Sequence, residues 1–362
     1  TSYHRFALEL FIYPYIFGKS FNLVFSKNYE KKLEKMADII ISLMTPGGII
    51  PQIGDNDNGR LLILNYPTKD DVNNYNYLIE TCSLLFGNKY KNKIKKYSYD
   101  LLWIQNQKYH DDHASQRIDQ KSENLIGDIY SKSGLYILKN DKKSDYMLLR
   151  CASENISSLN AHSHNDALNF ELWISGKRII VDPGTFCYSS DPILRNNFRS
   201  SFSHNGLIIN DKELNEISSS TFGIDWRTKA GCLKFDVKNS KAEMLFEHDS
   251  YYNDLDIIVN RSIVYDSNSW MINDKIIGNL AKVDSANCLF IFPPEIKSIS
   301  KTSLNEYIID GLAKIKCNNS DTMLISNALF SESYGKISKS FGLKVLLSKK
   351  YNFSATIEIS RL

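Results

Sequence analysis

The residues most suited to chemistry lie in the segment 161–205, which contains three of the seven histidines of the chain. His162 and His164 form a His-x-His pair, and Asp182 and His204 follow further along. In an extended segment, residues i and i+2 share a face, so the paired imidazoles can project into one cavity. Imidazoles combined with a carboxylate make the kind of site that zinc prefers. The pattern therefore favours a metal or catalytic site over a group of ordinary polar loop residues.

A predicted hairpin positions one of these candidates. Residues 175–177 (Ser-Gly-Lys) form a turn signal between two apolar runs, which we expect to pair as antiparallel strands. Counting outward from the turn places Asp182 opposite Glu171, several residues short of His164. His164 can therefore reach Asp182 only if the chain around the His-x-His pair bends back over the strand ends.

Four motifs of this segment occur in an order that resembles the heparinase II/III-like polysaccharide lyases. They are H-S-H-N-D at 162–166, F-E-L at 170–172, D-P-G-T at 182–185 and R-S-S-F-S-H-N at 199–205. An ordered match of this length is more specific than any one short motif.

The resemblance implies a role for each candidate. His162 is expected to be catalytic. His164, Asp182 and His204 are expected to hold a zinc ion. We expect this ion to brace the loop that carries His162, because ligands fixed there hold the neighbouring imidazole in place. Direct Lewis-acid catalysis by the metal is the less favoured option.

Three further residues of the segment are predicted to bind an acidic substrate. Arg195 and Arg199 lie between the D-P-G turn and His204, and arginine suits bidentate capture of carboxylate or sulfate groups. Asn205 completes the H-N pair of the pattern. A structural arginine at the surface or at the edge of the core stays an alternative for both arginines.

The first residues of the chain resemble the S-x-Y-H stretch that the family carries on a toroid helix. The match implies that Tyr3 is the catalytic base and acid. Tyrosine ordinarily has a pKa of about 10, so a nearby cation or polarising network must lower it before the group can act as a base at neutral pH. In relatives, an asparagine or histidine that neutralises the substrate carboxylate lies upstream of this tyrosine. Because the sequence begins at Thr1 rather than Met, we expect the natural N-terminus to be missing.

The elements that must position these residues are helical at first. From Tyr3 to about Trp103, apolar residues recur at i, i+3, i+4 and i+7, the stripe of an amphipathic helix. One predicted helix ends at the Thr-Pro-Gly-Gly of residues 45–48. Another has Asp70 or Asp71 as its N-cap and Gly87 as its stop.

From Gly127 onward, short β-rich runs and turns replace the helical pattern, with no helices between them. The polar stretch before them, with His110 and His113, is interpreted as a solvated linker rather than as a metal site. With the resemblance, the predicted fold is α+β and multidomain. Residues 1–110 are the C-terminal part of an (α/α) toroid, 111–126 a linker, and 127–362 a large antiparallel β-sandwich.

Residues 51–60 form a glycine- and carboxylate-rich loop between predicted helices. The alternating Asp and Asn are similar to the start of a calcium loop, but the glutamate that would close an EF-hand is absent. The preferred interpretation is a structural loop. Relatives carry a similar G-D-x-D stretch, so a part in shaping a substrate groove stays open.

Composition restricts the class of protein. The apolar and aromatic content is that of a globular chain, and 362 residues can bury a large core. A net charge of +3 gives no reason to invoke nucleic acid and is compatible with an acidic polysaccharide. No apolar run approaches the roughly 20 residues that span a bilayer. Six cysteines without C-x-x-C spacing exclude a thiolate zinc knuckle.

The resemblance implies a polysaccharide lyase that cleaves an acidic, uronate-containing glycan by β-elimination, in the periplasm or after secretion. Heparan sulfate-like and alginate-like polymers both stay open as substrates. The alternative is a non-catalytic carbohydrate-binding or polysaccharide-assembly protein that retains the scaffold and the metal. A metal-dependent hydrolase is less favoured, because no carboxylate is obviously placed to activate a metal-bound water.

Overall fold

The computed structural model describes residues 2–64, 72–87, 100–104, 125–153 and 161–362. The chain divides into two compact units. Thr1–Gln52 and Asn56–Lys121 make up the helical unit, and Ile53–Asp55 and Ser122–Leu362 make up the β unit. Three residues of the glycine-rich loop therefore belong to the β unit.

Amphipathic stripes form the described helices of the helical unit. These are α1 (Ser2–Ser20), α2 (Lys27–Leu43), α3 (Asn76–Phe86) and α4 (Asp100–Ile104). Along α2, the buried residues Leu33, Ala37 and Ile40 recur every three or four positions, as the sequence predicts. Ser26 caps this helix, because its side chain accepts a hydrogen bond from the backbone N–H of Tyr29 at 3.2 Å.

The start of α3 differs from the prediction. The helix begins at Asn76, so its N-cap is neither Asp70 nor Asp71, which lie outside the described residues. The side chain of Asn74 instead accepts a hydrogen bond from the backbone N–H of Asn76 at 2.9 Å. Gly87 ends the helix as predicted, with a φ of 87° that favours glycine. The toroid itself stays a prediction.

Antiparallel strands build the β unit. The strands are β1 (Leu125–Tyr130), β2 (Leu135–Asn140), β3 (Asp145–Arg150), β4 (Phe170–Ile174), β5 (Lys177–Ile180), β6 (Leu207–Ile209), β7 (Glu216–Ile217), β8 (Ile224–Asp225), β9 (Ala230–Lys238), β10 (Lys241–His248), β11 (Ile257–Tyr265), β12 (Ser269–Gly278), β13 (Ala286–Ile291), β14 (Ile299–Ser303), β15 (Glu306–Ile309), β16 (Ala313–Asn318), β17 (Ser320–Ser333), β18 (Lys336–Leu347) and β19 (Ser354–Arg361).

These strands form four sheets among the described residues. The orders are β1-β2-β3-β4-β5, β14-β15-β16-β19-β12-β11-β10-β9, β17-β18-β13-β6 and β7-β8. A shared hydrophobic core joins the three larger sheets, with Leu172, Ile272 and Val345 each fully buried in it. The predicted antiparallel β region is confirmed.

One predicted break in the strand pattern is wrong. The sequence suggests two short strands at 256–259 and 263–265, whereas β11 runs through both. The polar centre of β11 fits a strand because Arg261 is buried opposite Asp274 of β12 and donates to it from Nε at 2.7 Å. A buried charge is tolerated when it is paired in this way.

Two short helices interrupt the strands, although none was predicted there. They are α5 (Pro192–Arg199) and α6 (Tyr252–Leu255). Asp191 caps α5 by accepting hydrogen bonds from the backbone N–H groups of Ile193 and Leu194 at 3.0 and 2.9 Å. An aspartate followed by proline is a helix-start signal that the sequence does contain.

Two further sequence predictions concern the linker and the membrane. The linker predicted at 111–126 lies outside the described residues, except for its last two positions, which belong to β1. His110 and His113, the two histidines of this polar stretch, also lie outside the described residues. Among the helices that the structure describes, none is both long and apolar enough to cross a membrane.

Candidate functional site

The three predicted metal ligands lie together in the β unit. His164, Asp182 and His204 each offer one ligand atom, and these atoms lie within 4.8 Å of one another. All three side chains are buried, and the two imidazole centroids are 5.4 Å apart. It is the one group of this kind within the described part of the chain. The arrangement requires the bend around the His-x-His pair, which the sequence gives as a condition but does not itself show.

The bend and the hairpin register have local causes. His162 and Leu168 both adopt left-handed backbone conformations, with φ of 70° and 58°. In the hairpin, Leu172 lies opposite Ile180, and a bulge follows at the next residue. The predicted pairing of Asp182 with Glu171 is therefore wrong, because Asp182 lies beyond the last paired residue.

Hydrogen bonds fix which nitrogen each buried imidazole turns toward the group. Nε2 of His164 lies 2.9 Å from Oδ1 of Asp55, and Nδ1 of His204 lies 2.7 Å from the carbonyl oxygen of Ser200. Both oxygens accept, so each of these nitrogens carries the proton when the ring is neutral. Nδ1 of His164 and Nε2 of His204 are buried and make no hydrogen bond with the residues the structure describes.

The carboxylate of Asp182 faces the same point. Its Oδ2 lies 3.5 Å from Nε2 of His204, and its Oδ1 accepts a hydrogen bond from the backbone N–H of Gly184 at 2.9 Å. Asn169 donates its amide to Oδ2 at 2.7 Å. Burial raises the pKa of Asp182, and the two imidazoles oppose this shift. Burial also disfavours the charged form of His164 and so lowers its pKa, although the nearby carboxylate of Asp55 acts to raise it.

This donor set fits a divalent cation. Two imidazole lone pairs and one carboxylate oxygen converge, and hydrogen bonds from the opposite sides of the rings hold them in place. Metal-ligating histidines almost always donate their second ring N–H to a carboxylate or carbonyl in this way. Three ligands of this type are typical of a zinc site with an open fourth position.

His162 differs from its neighbour because it is partly exposed. Its side chain is 39% exposed, and its Nδ1 lies 3.0 Å from Oδ2 of Asp55. The ring stands edge-on to Phe222 at 5.2 Å and near Tyr188 at 6.3 Å, between ring centroids. The structure therefore presents His162 at the surface of the β unit, next to the buried group of His164, Asp182 and His204.

The loop that supplies Asp55 packs closely on the backbone of His162. The backbone N–H of Asp55 donates to the carbonyl oxygen of His162 at 3.0 Å. A side chain at Gly54 would place its Cβ 2.5 Å from the same oxygen, and the φ of Gly54 is 61°. Glycine is therefore required at position 54 by both space and conformation.

Asp55 is the central residue that the sequence did not single out. It is buried, and Arg195 donates to both of its oxygens, with Nη2 at 2.8 Å from Oδ2. Burial alone would raise the pKa of Asp55. The hydrogen bonds from His162 and His164 and the charge of Arg195 overcome that effect and hold the pKa well below its usual range. The G-D-x-D stretch of the loop was the signal available in the sequence.

The three residues predicted to bind substrate are buried in the β unit. Arg199 donates to the carbonyl oxygens of Ser218, Ser220 and Gly223, and burial lowers its pKa to about 10. Substrate contact by these residues stays a prediction, and the geometry favours positioning roles.

Asn205 and Arg195, like Arg199, have their side-chain polar groups bound to other parts of the protein. The amide of Asn205 donates to the carbonyl oxygens of Phe170 and Val181, at 2.9 and 2.8 Å, and its oxygen accepts from Ile291. The guanidinium of Arg195, besides its contact with Asp55, lies over the ring of Tyr188. The structural interpretation of Arg195 that the sequence left open fits these contacts.

Glu213 is a second residue that sequence reasoning missed. Its Oε2 accepts hydrogen bonds from the backbone N–H of Ser201 at 2.9 Å and from the amide of Asn165 at 2.8 Å. It thereby links the segment after His164 to the segment before His204. No motif in the sequence marks this glutamate.

Tyr3 lies in the helical unit, in the first turn of α1. Its hydroxyl donates to Oδ2 of Asp57 at 3.0 Å, and Oδ1 of Asp57 accepts from the backbone N–H of Gly59 at 2.9 Å. Nε2 of His4 lies 2.8 Å from the carbonyl oxygen of Met36, and burial lowers the pKa of His4. His4 therefore packs within the helices.

Comparison with known proteins decides the family. The model of the heparinase II/III-like C-terminal domain matches residues 128–336, more than half of the chain. The chain belongs to the heparinase II/III-like family. The matched residues include His162 and the three predicted metal ligands.

Relatives of this family member are longer than the chain. A heparin-sulfate lyase from Pedobacter heparinus is 24% identical over 286 residues, which is 76% of this chain and 36% of that protein. The chain thus spans about a third of the length of that relative.

Solved structures share the fold across nearly the whole chain. A heparinase III aligns with a TM-score of 0.72 and 16% identity, over 99% of this chain and 50% of that one. The heparan sulfate lyase HepC from Pedobacter heparinus gives 0.71 and 20%, over 99% and 51%. A chondroitin AC lyase from Streptomyces coelicolor A3 gives 0.57 and 9%, over 93% and 49%.

Proposed function

We propose that this chain is part of a polysaccharide lyase that cleaves a uronate-containing glycan of the heparan sulfate type by β-elimination. The observation that carries the proposal is the partly exposed His162, whose Nδ1 is bound by a buried carboxylate beside a buried His-Asp-His group. The heparin-sulfate lyase among the relatives favours heparan sulfate over alginate as the substrate.

The reaction needs a base, an acid and neutralisation of the uronate carboxylate. The base removes the proton at C5, and the electron pair of that C–H bond forms the C4–C5 double bond. The bond from C4 to the glycosidic oxygen breaks, and an acid protonates the leaving oxygen. Water takes no part in the bond cleavage. Each proton transfer of this kind contributes about 100-fold or more to a rate.

His162 is the group of the β unit that we propose to act on the substrate. Because its Nδ1 is engaged by Asp55, Nε2 is the nitrogen through which it exchanges a proton or places positive charge beside the sugar. It serves as the base for one configuration at C5. For the opposite configuration we propose a different base.

Tyr3 is the residue that we propose for that second base, and for the acid that protonates the leaving oxygen. Its role rests on the resemblance of the first residues to the S-x-Y-H stretch. The hydrogen bond to Asp57 orients the phenol and gives its proton an acceptor within the helical unit. A carboxylate disfavours the neighbouring phenolate, so the role of base further requires a cation beside Tyr3 in the reacting complex.

Zinc is the metal that we propose for the group of His164, Asp182 and His204. When bound, it would neutralise the buried carboxylate and tie three segments of the β unit together. The residues that hold it also fix the backbone two positions from His162.

Aromatic rings beside His162 suit a sugar ligand. Tyr188 and Phe222 are partly exposed, and their ring centroids lie 5.2 Å apart. Arg195 lies over both rings, at 5.2 and 5.8 Å from the centroids, and keeps them in place. Apolar faces of sugar rings stack on aromatic side chains. His162 lies beside these two rings and adds a polar group to the surface that they form.

A non-catalytic carbohydrate-binding protein with the same scaffold is the second candidate. Arg195, Arg199 and Asn205 are buried and do not face the solvent, where they could neutralise the uronate carboxylate. Elimination needs that neutralisation and binding does not, which favours this second candidate. Location in the periplasm or outside the cell remains a proposal, which cell fractionation tests.

The experiment is an ultraviolet assay of the protein, as the cell makes it, against heparan sulfate, hyaluronan, chondroitin, alginate and polyglucuronate. Elimination leaves an unsaturated uronate that absorbs, so we expect absorbance to rise with heparan sulfate most of all. Binding without any rise in absorbance would contradict the lyase and support the second candidate. A rise with alginate alone would contradict the substrate class.

A further inference from the structure

Asp55 contacts both the proposed catalytic histidine and a proposed metal ligand through one carboxylate. Its Oδ2 binds Nδ1 of His162 at 3.0 Å, and its Oδ1 binds Nε2 of His164 at 2.9 Å. The side chain is 1% exposed, so water does not compete for these oxygens. The two histidines are therefore coupled through a group more than a hundred residues away in the sequence.

We propose that Asp55 is a positioning residue that selects the ring tautomers of His162 and His164 together, so that metal occupancy and the orientation of His162 depend on each other. The proposal rests on the function proposed above in one respect, namely that His162 acts on substrate. The tautomers themselves do not depend on any activity.

The geometry gives the two rings opposite tautomers. A carboxylate accepts and cannot donate, so it takes the N–H of each ring. His162 is held with its proton on Nδ1 and its Nε2 turned away from Asp55. His164 is held with its proton on Nε2, which leaves Nδ1 as the lone pair of the metal group. One carboxylate thus assigns one ring to proton transfer and the other to metal binding.

Arg195 and the packing of the loop make Asp55 a rigid support. The guanidinium donates to both carboxylate oxygens, and the backbone N–H of Asp55 binds the carbonyl oxygen of His162. The carboxylate cannot turn toward one histidine without losing its contact with the other. Movement of His164 on binding or losing a metal therefore reaches His162 through this group.

The test uses Asp55→Asn in the full protein. An amide keeps the shape but offers one accepting oxygen, so it cannot hold both N–H groups. We expect zinc affinity to fall by about 10- to 100-fold, as for other second partners of metal-bound histidines. At saturating zinc, we expect kcat to stay at least about 100-fold low, with KM within about threefold of the wild-type value.

Asp145→Asn is the matched control. Asp145 is also buried, and it pairs with Arg361 and accepts from the hydroxyl of Tyr265 at 2.8 Å, at another place in the β unit. We expect this variant to lower the melting temperature while zinc affinity and kcat stay at the wild-type level. An equal loss in both variants would show that Asp55 acts through stability alone and would overturn the proposal.

The readout that needs no activity is the ring tautomer, measured by long-range ¹H–¹⁵N correlation of histidine-labelled protein at alkaline pH, where imidazoles are generally neutral. In the wild type we expect His162 to carry its proton on Nδ1, and its signals to shift when zinc is removed. Asp55→Asn should lose the preference for that tautomer.

Three further results would overturn the proposal. They are a wild-type His162 protonated on Nε2, His162 signals that do not respond to zinc, and full recovery of kcat in Asp55→Asn by excess zinc. If Asp55→Asn fails to fold, the first two measurements on the wild type still decide. If the wild type shows no elimination at all, the proposed function fails, and the tautomers still test Asp55.

Discussion

His162 and His164 lie two residues apart, yet they present opposite ring nitrogens to the same carboxylate. His162 approaches Asp55 through Nδ1 at 3.0 Å, and His164 approaches it through Nε2 at 2.9 Å. One ring is 39% exposed and the other is fully buried. The pair therefore divides into a surface group suited to proton transfer and a buried group suited to metal binding.

Metal content separates the two histidines. We expect the purified protein to carry about one zinc ion per chain, and His164→Ala and His204→Ala to lose it, with a lower melting temperature. His162→Ala should keep its zinc, because its ring lies outside the converging group. Elemental analysis of the three variants measures this.

Two results would contradict the assignment. Full zinc in both His164→Ala and His204→Ala would show that these residues are not the ligands. Loss of zinc from His162→Ala would show that His162 is itself a ligand.

Tyr3→Phe removes one hydroxyl and nothing else. If this hydroxyl transfers the proton, elimination should be abolished while substrate binding changes by no more than a few-fold, because the ring remains. Asp57→Asn should lower kcat less severely, since it weakens the partner of the hydroxyl rather than the hydroxyl itself. Rates and binding constants for both variants measure this, and near-normal turnover of Tyr3→Phe would place the base elsewhere.

Phe222→Ala tests the proposed sugar-stacking surface. Loss of one aromatic contact of about 0.5–1.5 kcal/mol should raise KM by roughly two- to thirteenfold, with kcat less affected. Phe341→Ala is the control, because Phe341 is a partly exposed phenylalanine on β18. Equal KM values for Phe222→Ala and the wild type would remove Phe222 from the substrate surface.

The sequence predicts that His164, Asp182 and His204 form one group, but it does not predict the carboxylate of Asp55 that contacts His164. The order of His164, Asp182 and His204 is local to one segment, and a family pattern covers it. Asp55 acts across 107 residues of sequence, and nothing in its own loop shows which histidines it meets.

Burial explains two other differences between the sequence and the structure. The sequence cannot show that Arg195 is buried and paired with Asp55, because the residue type alone does not distinguish a buried arginine from an exposed one. For the same reason, the polar residues at the centre of β11 suggest two separate strands in the sequence. The structure shows one strand, in which Arg261 pairs with Asp274.

The pH dependence of stability tests the burial of His248. Burial, followed by the charge of Arg261, lowers the pKa of His248 from 6.5 to about 3. Between these two pKa values, His248 is protonated in the unfolded state but neutral in the folded state. Its contribution to the free energy of unfolding is therefore fully present above pH 6.5 and is lost as the pH falls toward 3. The loss from this residue should be about 2 kcal/mol at pH 5.

In the structure, Nδ1 of His248 accepts a hydrogen bond from the backbone N–H of Ser250 at 3.4 Å. The variant His248→Gln removes the titrating group and offers its amide oxygen as the acceptor instead. Denaturant unfolding at pH 7 and pH 5 should show a smaller difference in the variant than in the wild type. An unchanged difference would mean that His248 is not buried in its neutral form.

The central claim is that bond cleavage proceeds by elimination, and the fate of solvent oxygen tests it most directly. Heparan sulfate is digested by the zinc-loaded protein in water enriched in oxygen-18, and the products are weighed by mass spectrometry, with His162→Ala in parallel. Elimination predicts that each cleavage leaves one product short of the elements of water, with no label at its new C4 end, and almost no product from His162→Ala. Products that each cleavage makes heavier by one labelled water would show hydrolysis and contradict the account.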